Sequence, residues 1–142
     1  DVGAAYKGYY ADLTRTIFVG EATKIQEKIY KILLKAQEAA IKTVRPGIEA
    51  EKVDRAARKT IEDAGYARYF THRAGHGLGL EVHEEPYIAP GNRSVLKPNM
   101  TFTIEPGIYF SGKFGVRIED DVVVSKTHGE LLSSLSREIV IM

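Results

Sequence analysis

The sequence predicts an α+β domain, and three observations carry that reading. Two segments between residues 23 and 64 repeat apolar residues at helical spacing. The remainder breaks into short β-rich runs punctuated by Gly and Pro. No linker or internal repeat divides the 142 residues, a length expected of one domain. In chain order, residues 1–19 read as a β-hairpin: 1–6 is short and apolar, Lys7-Gly8 can turn, and 9–19 is rich in β-branched and aromatic residues until Gly20. Thr23 suits the N-cap of a helix running to about Val44, with Ile25, Ile29, Leu33, Ala36 and Ala40 on one face and Pro46-Gly47 as the stop. Its many Lys and Glu residues predict a solvated face with i,i+4 pairs. A second helix over 50–64 has Val53, Ala57, Ile61 and Ala64 as its apolar face and Gly65 as the C′ residue. Strands are expected near 80–83, 101–105, 107–110, 115–124 and 137–141. Pro98-Asn99 reads as a tight turn feeding the strand at Thr101, because Pro suits the first central position and Asn tolerates positive φ at the second.

Composition narrows the functional classes. Hydrophobic residues at 44% and charged residues at 27% match a globular domain and exclude a disordered or collagen-like chain. No apolar run reaches the roughly 18 residues of a membrane span. Lys+Arg at 20 against Asp+Glu at 19 leaves a net charge of +1, so no basic field argues for nucleic acid. Zero cysteines exclude a disulfide scaffold, a thiolate zinc site and a Cys nucleophile, and fit an expected cytoplasmic location.

Five residues stand out together: Asp1, Asp12, His76, Glu105 and Glu119. Each lies in or beside a β run among Gly or apolar neighbours, where a carboxylate is costly unless paired or bound to metal. Four carboxylates and one imidazole suit two divalent cations: four negative charges balance two M²⁺ ions, and two carboxylates can bridge the pair at about 3.5–4 Å. An oxygen-dominated set with one imidazole suits Mn, Co, Fe or Zn. Gly75-His76-Gly77-Leu78-Gly79 is not a nucleotide loop, because the Gly-x-Gly-x-x-Gly spacing is not met. Asp120 and Asp121 are read as solvated charges.

The five residues follow one another at intervals of 11, 64, 29 and 14. With the flanking stretches 9–16, 72–84, 103–109 and 115–121, this pattern resembles the metal-dependent aminopeptidase/prolidase family, whose domain has the pita-bread (creatinase/aminopeptidase-like) fold. The resemblance covers essentially the whole chain. It implies that residues 1–142 are a metallopeptidase catalytic domain, its C-terminal portion, incomplete at the N-terminal side and with no second domain inside the chain. The opening on Asp1 rather than Met fits that expectation, since a fraying chain end is a poor place for a metal ligand. Upstream residues would then supply part of the substrate pocket, and apolar surface would lie exposed without them.

By resemblance, Asp12 and Glu119 bridge two metal ions, Asp1 completes one, and His76 with Glu105 completes the other. Mn or Co is expected ahead of Zn or Fe. The implied reaction is attack by a metal-bridging hydroxide on a peptide bond, with Glu105 as general base and proton shuttle. His72 and His83 are implied to hydrogen-bond substrate and stabilise the tetrahedral intermediate. Arg117, two residues before Glu119 and on the same strand face, can orient a ligating carboxylate or contact substrate, and Thr14 stands in the same relation to Asp12. The stretch Gly115-Val116-Arg117-Ile118-Glu119-Asp120 and the His72, His76, His83 spacing resemble the Xaa-Pro dipeptidase and aminopeptidase P branch. The methionine aminopeptidase branch, with a Gln-Phe-Glu-His type stretch, is the alternative. A non-catalytic peptide- or protein-binding module on the same fold is another, although such modules typically lose ligands. Expected partners are a peptide with proline second and, for the full-length protein, a second copy in a homodimer; neither nucleic acid nor a membrane is expected.

Overall fold

The computed structural model describes residues 1–142. Strands β1 (Val2–Tyr6) and β2 (Tyr9–Leu13) form the expected antiparallel hairpin, turning at Lys7-Gly8, where both residues have positive φ. Helix α1 (Lys24–Thr43) starts at a capping box: the Thr23 hydroxyl accepts from the Gln26 amide, and the Gln26 side chain accepts from the Thr23 amide. Its buried stripe is Ile29, Tyr30, Leu33, Ala36, Gln37 and Ala40. Helix α2 (Ala50–Asp63) buries Ala50, Val53, Asp54, Ala57 and Ile61, and its small residues let it pack closely on α1. Neither helix is long and apolar enough to cross a membrane.

Five strands make the main antiparallel sheet. They are β4 (Gly75–Gly77), β5 (Glu84–Ile88), β6 (Thr101–Ile104), β9 (Asp120–Val124) and β10 (Gly129–Leu131), in the order β10-β9-β6-β4-β5. Between β6 and β9 the chain makes a separate hairpin of β7 (Gly107–Phe110) and β8 (Phe114–Arg117). Side-chain alternation then sorts the sheet. Phe102, Ile104, Val122 and Val124 join the core with the helices, whereas Thr103 and Asp121 turn to the opposite face, where β2 lies. Asn99 has a φ of 70°, as expected for the turn entering β6.

The structure departs from several sequence expectations. The run over 9–19 ends as a strand at Leu13; β3 (Ile17–Phe18) is separate and pairs in parallel with β11 (Val140–Ile141), all that forms of the expected strand over 137–141. Residues 80–83 are turns, not a strand. Leu80 and Val82 are exposed, and Glu84 folds back to accept a hydrogen bond from the Glu81 amide. The strands on either side, β4 and β5, carry Gly and Pro that disguised them. The run over 115–124 breaks at residues 118–119, because the Glu119 amide donates to Thr14 O instead of continuing a ladder. β10 was not anticipated. No i,i+4 ion pair forms along α1; such pairs lie on α2, as Arg58–Asp54 and Lys59–Asp63. Val2, Tyr6 and Tyr9 on the hairpin are exposed.

Candidate active site

Asp1, Asp12, His72, Arg73, His76, His83, Glu105, Arg117 and Glu119 line one cavity of about 430 Å³. Every residue singled out from sequence for metal binding or catalysis is therefore on this wall, with Arg73 added. At its centre, ligand atoms of Asp12, His76 and Glu119 lie within 4.8 Å of one another. His76 Nε2 is 3.8 Å from Asp12 Oδ2 and 3.4 Å from Glu105 Oε1. Asp1 is held from the side, its carboxylate accepting from Arg117 Nη2.

Local structure explains each placement. His76 rides on β4, which is squeezed between β5 and β6. A Cβ on Gly75 would meet Thr103 O at 1.8 Å, and one on Gly77 would meet Glu85 O at 2.4 Å, so the flanking glycines are a packing necessity. The Thr103 hydroxyl accepts from the His76 amide and donates to Glu105 Oε1. His76 Nδ1 faces Gly77 O at 3.1 Å. A carbonyl only accepts, so the proton is on Nδ1 and the Nε2 lone pair faces the carboxylates. Burial lowers the His76 pKa and keeps this ring neutral.

The Glu119 carboxylate is held from behind. Thr14 donates to Glu119 Oε2 at 2.5 Å, and Arg117 Nε donates to Thr14 Oγ1 at 3.1 Å. Arg117 thus links Asp1 and Glu119, and its sequence placement on the Glu119 face and that of Thr14 on the Asp12 face both have a concrete use. Burial pushes Glu119, only 2% exposed, up to about 7, and raises Glu105 as well.

An imidazole lone pair facing one buried and two half-buried carboxylates repels them unless a proton or a cation stands between. The donor set of carboxylate oxygens and one imidazole nitrogen fits a hard to borderline divalent ion. The chain thus carries a metal-binding cluster in Asp12, His76 and Glu119, with Glu105 adjoining it and Asp1 at its edge.

Several contributors were not foreseen. Tyr109 donates to His72 Nε2 at 2.9 Å and accepts from Arg117 Nη1 at 3.4 Å, fixing both; the tautomer follows from His72 Nδ1 donating to Arg73 O. The Arg73 guanidinium lies over the Tyr87 ring, 4.6 Å from its centroid, and itself makes no hydrogen bond or ion pair within the chain. Asp54 on α2, 2% exposed, accepts from the Ala74 amide and from Arg58, and Arg58 also donates to Phe70 O and His72 O. Helix α2 thereby anchors the segment that leads into His72 and His76. The rings of His76 and His83 stand 4.1 Å apart, centroid to centroid.

Asp120 and Asp121 are not solvated. They point to opposite faces of β9, and both are buried. Asp121 Oδ2 accepts from the Asp12 amide on the site face, and burial raises its pKa to about 6. Asp120 faces the helices and accepts from Arg15, Gln37 and Ser133.

The sequence profile of metallopeptidase family M24 matches residues 1–126. The chain belongs to this family. The M24 chain is 48% identical over 143 residues to the probable dipeptidase PepE of Mycobacterium bovis, covering 100% of the chain and 38% of the relative. Among solved structures it is similar to a dipeptidase from Pyrococcus horikoshii OT3, with TM-score 0.96 and 56% identity over 99% of this chain and 39% of that one. It is equally similar to a prolidase from Thermococcus sibiricus, with TM-score 0.96 and 54% identity over 99% of this chain and 38% of that one. These likenesses place it in the α+β pita-bread fold expected from sequence. The M24 chain spans about two fifths of the length of these relatives.

Proposed function

We propose that the full-length protein hydrolyses the peptide bond preceding proline, in dipeptides or at peptide N-termini, with two divalent cations, Mn or Co ahead of Zn or Fe. The observation that carries this reading is the convergence of Asp12, His76 and Glu119, with Glu105 and Asp1 beside them, on one cavity. Asp12 and Glu119 would be shared by both ions, Asp1 would complete one, and His76 with Glu105 the other. When bound, the cations supply Lewis acidity at the scissile carbonyl and an activated water.

The chain's own residues do the rest. Glu105, its pKa raised by burial, can take a proton on a carboxylate oxygen and pass it to the departing proline nitrogen. That transfer matters because the leaving group of a tertiary amide must be protonated. Thr103 holds Glu105 Oε1, and Pro106 keeps the Glu105 backbone extended. His83, beside the His76 ring, offers an N–H donor to the carbonyl oxygen as it gains charge, whereas both nitrogens of His72 on the same wall are held by Arg73 O and Tyr109. The dipeptidase and prolidase names of its similar relatives support this substrate class.

The test is a side-by-side assay of the full-length protein and of residues 1–142, both metal-loaded, on Ala-Pro, Ala-Ala, Met-Ala and a tripeptide with proline second. Ala-Pro or the tripeptide should be cleaved at least tenfold faster than Ala-Ala, because a pocket shaped for the ring binds the open chain less well in the transition state. Residues 1–142 alone should be nearly inactive, with Asp1 on a free terminus. A preference for Met-Ala would move the assignment to the methionine aminopeptidase branch.

A further inference from the structure

Gln37 is fully buried in the middle of the apolar stripe of α1. A buried amide in that position is costly unless its hydrogen bonds are met. Its Nε2 faces three acceptors: Ile104 O at 3.1 Å, Ile118 O at 3.4 Å and Asp120 Oδ2 at 3.0 Å. Its Oε1 accepts from Arg137 Nη1 at 3.3 Å, so the amide has one workable orientation.

Two of those acceptors are the carbonyls immediately before Glu105 and Glu119. The β6–β9 ladder ends at the pair Ile104 and Asp120. Beyond it both glutamates line the cavity, and the Ile118 carbonyl has no ladder donor, because the Ile118 amide donates to Pro106 O and Pro106 has no N–H to return. The other ends of the same peptide units are also held. The Glu105 amide donates to Ala74 O at 2.8 Å, and the Glu119 amide donates to Thr14 O at 3.1 Å. Each glutamate therefore springs from a peptide plane pinned at both ends, and Gln37 is the one pin common to both.

We infer that Gln37 is a positioning residue of the metal site: it clamps the two glutamate-bearing strands from the helix side and sets the separation of the Glu105 and Glu119 carboxylates. Nothing in its position touches substrate or metal. Its effect reaches the site only through the backbone, and it should show in how well two ions are accommodated together. This rests on the two-ion reading above.

The experiment is stepwise Mn²⁺ binding by calorimetry on the full-length protein, comparing wild type, Gln37→Met and Leu33→Ala, at a temperature where all are folded. Leu33 is fully buried one turn earlier on α1, so Leu33→Ala is a core truncation that leaves the clamp in place. Gln37→Met should weaken one of the two ions at least tenfold while the other stays within about threefold, and Leu33→Ala should leave both within about threefold. If Gln37→Met does not fold, Gln37→Glu keeps the shape, lacks the amide donors at neutral pH, and should give the same loss. Equal affinities in wild type and the Gln37 variant would overturn the clamp. So would failure of both Gln37 variants to fold while Leu33→Ala folds, since Gln37 would then belong to the fold alone. A wild type that takes up fewer than two ions would instead overturn the two-ion reading itself, and the clamp with it.

Discussion

Glu119→Ala is expected to lower kcat/KM of the full-length protein at least 1000-fold on Ala-Pro and to lower metal content, whereas His83→Ala keeps its metal. Glu119 is buried, its Oε2 is held by Thr14, and it lies in the cluster with Asp12 and His76. Removing it deletes one member of that cluster and leaves the Thr14 hydroxyl without its acceptor. His83 is exposed at the cavity rim, its ring tilted against that of His76 but not hydrogen-bonded to any of the clustered carboxylates. Its proposed work is in the transition state, so His83→Ala should lower kcat about 10- to 1000-fold with KM little changed. Elemental analysis beside steady-state kinetics separates the two roles. Equal metal loss in both variants would show that His83 supports the ions.

The second large effect is a reversal of pH dependence by metal. In the metal-free protein, burial raises Glu119 from 4.5 to about 7 and Asp121 from 3.8 to about 6, and raises Glu105 too. The folded state then holds more protons than the unfolded state between about pH 4 and pH 7. Stability from these carboxyls is fully present below their unfolded pKa values and is lost as pH rises through the folded ones. His76 works the other way, because its lowered pKa makes its contribution fade as pH falls. Three carboxyls outweigh one imidazole. Glu119 alone corresponds to about 3 kcal/mol. Chelated protein should therefore melt roughly 5–10 °C lower at pH 8 than at pH 5. Mn²⁺ or Co²⁺ replaces the protons and should restore the melting temperature most strongly at pH 8. Calorimetric melts at the two pH values, with and without chelator, check this. A metal-free protein that is more stable at pH 8 would contradict the burial of these carboxyls in neutral form.

Much of this arrangement was legible in the sequence because it is written in local pattern. Thr23 before the apolar stripe, Lys7-Gly8 between two β runs and Asn99 after Pro98 each act through neighbours a few residues away, and each stands where that pattern places it. The cavity residues were also legible, because ionisable groups among Gly and apolar neighbours are conspicuous. Their supports were not. Gln37 looks like one more polar residue on a Lys-rich helix, and only contacts 67, 81 and 83 positions away make it a buried clamp. Asp120 looks solvated until Arg15, 105 positions earlier, is seen against it. Nothing in the sequence marks Asp54 and Arg58, yet they hold the segment before His76. Strand β4 was hidden because glycine, a poor strand former, is required there by the closeness of Thr103 and Glu85. In each case the missing information is the identity of a distant partner.

Whether four carboxylates and one imidazole on this wall hold two cations is decided by counting Mn²⁺ bound per chain at saturation, by equilibrium titration of the chelator-stripped full-length protein near pH 8. Two ions per chain are expected, falling to one or none in Glu119→Ala. Saturation of the wild type at one ion or none, with an unchanged melting temperature, would contradict that count.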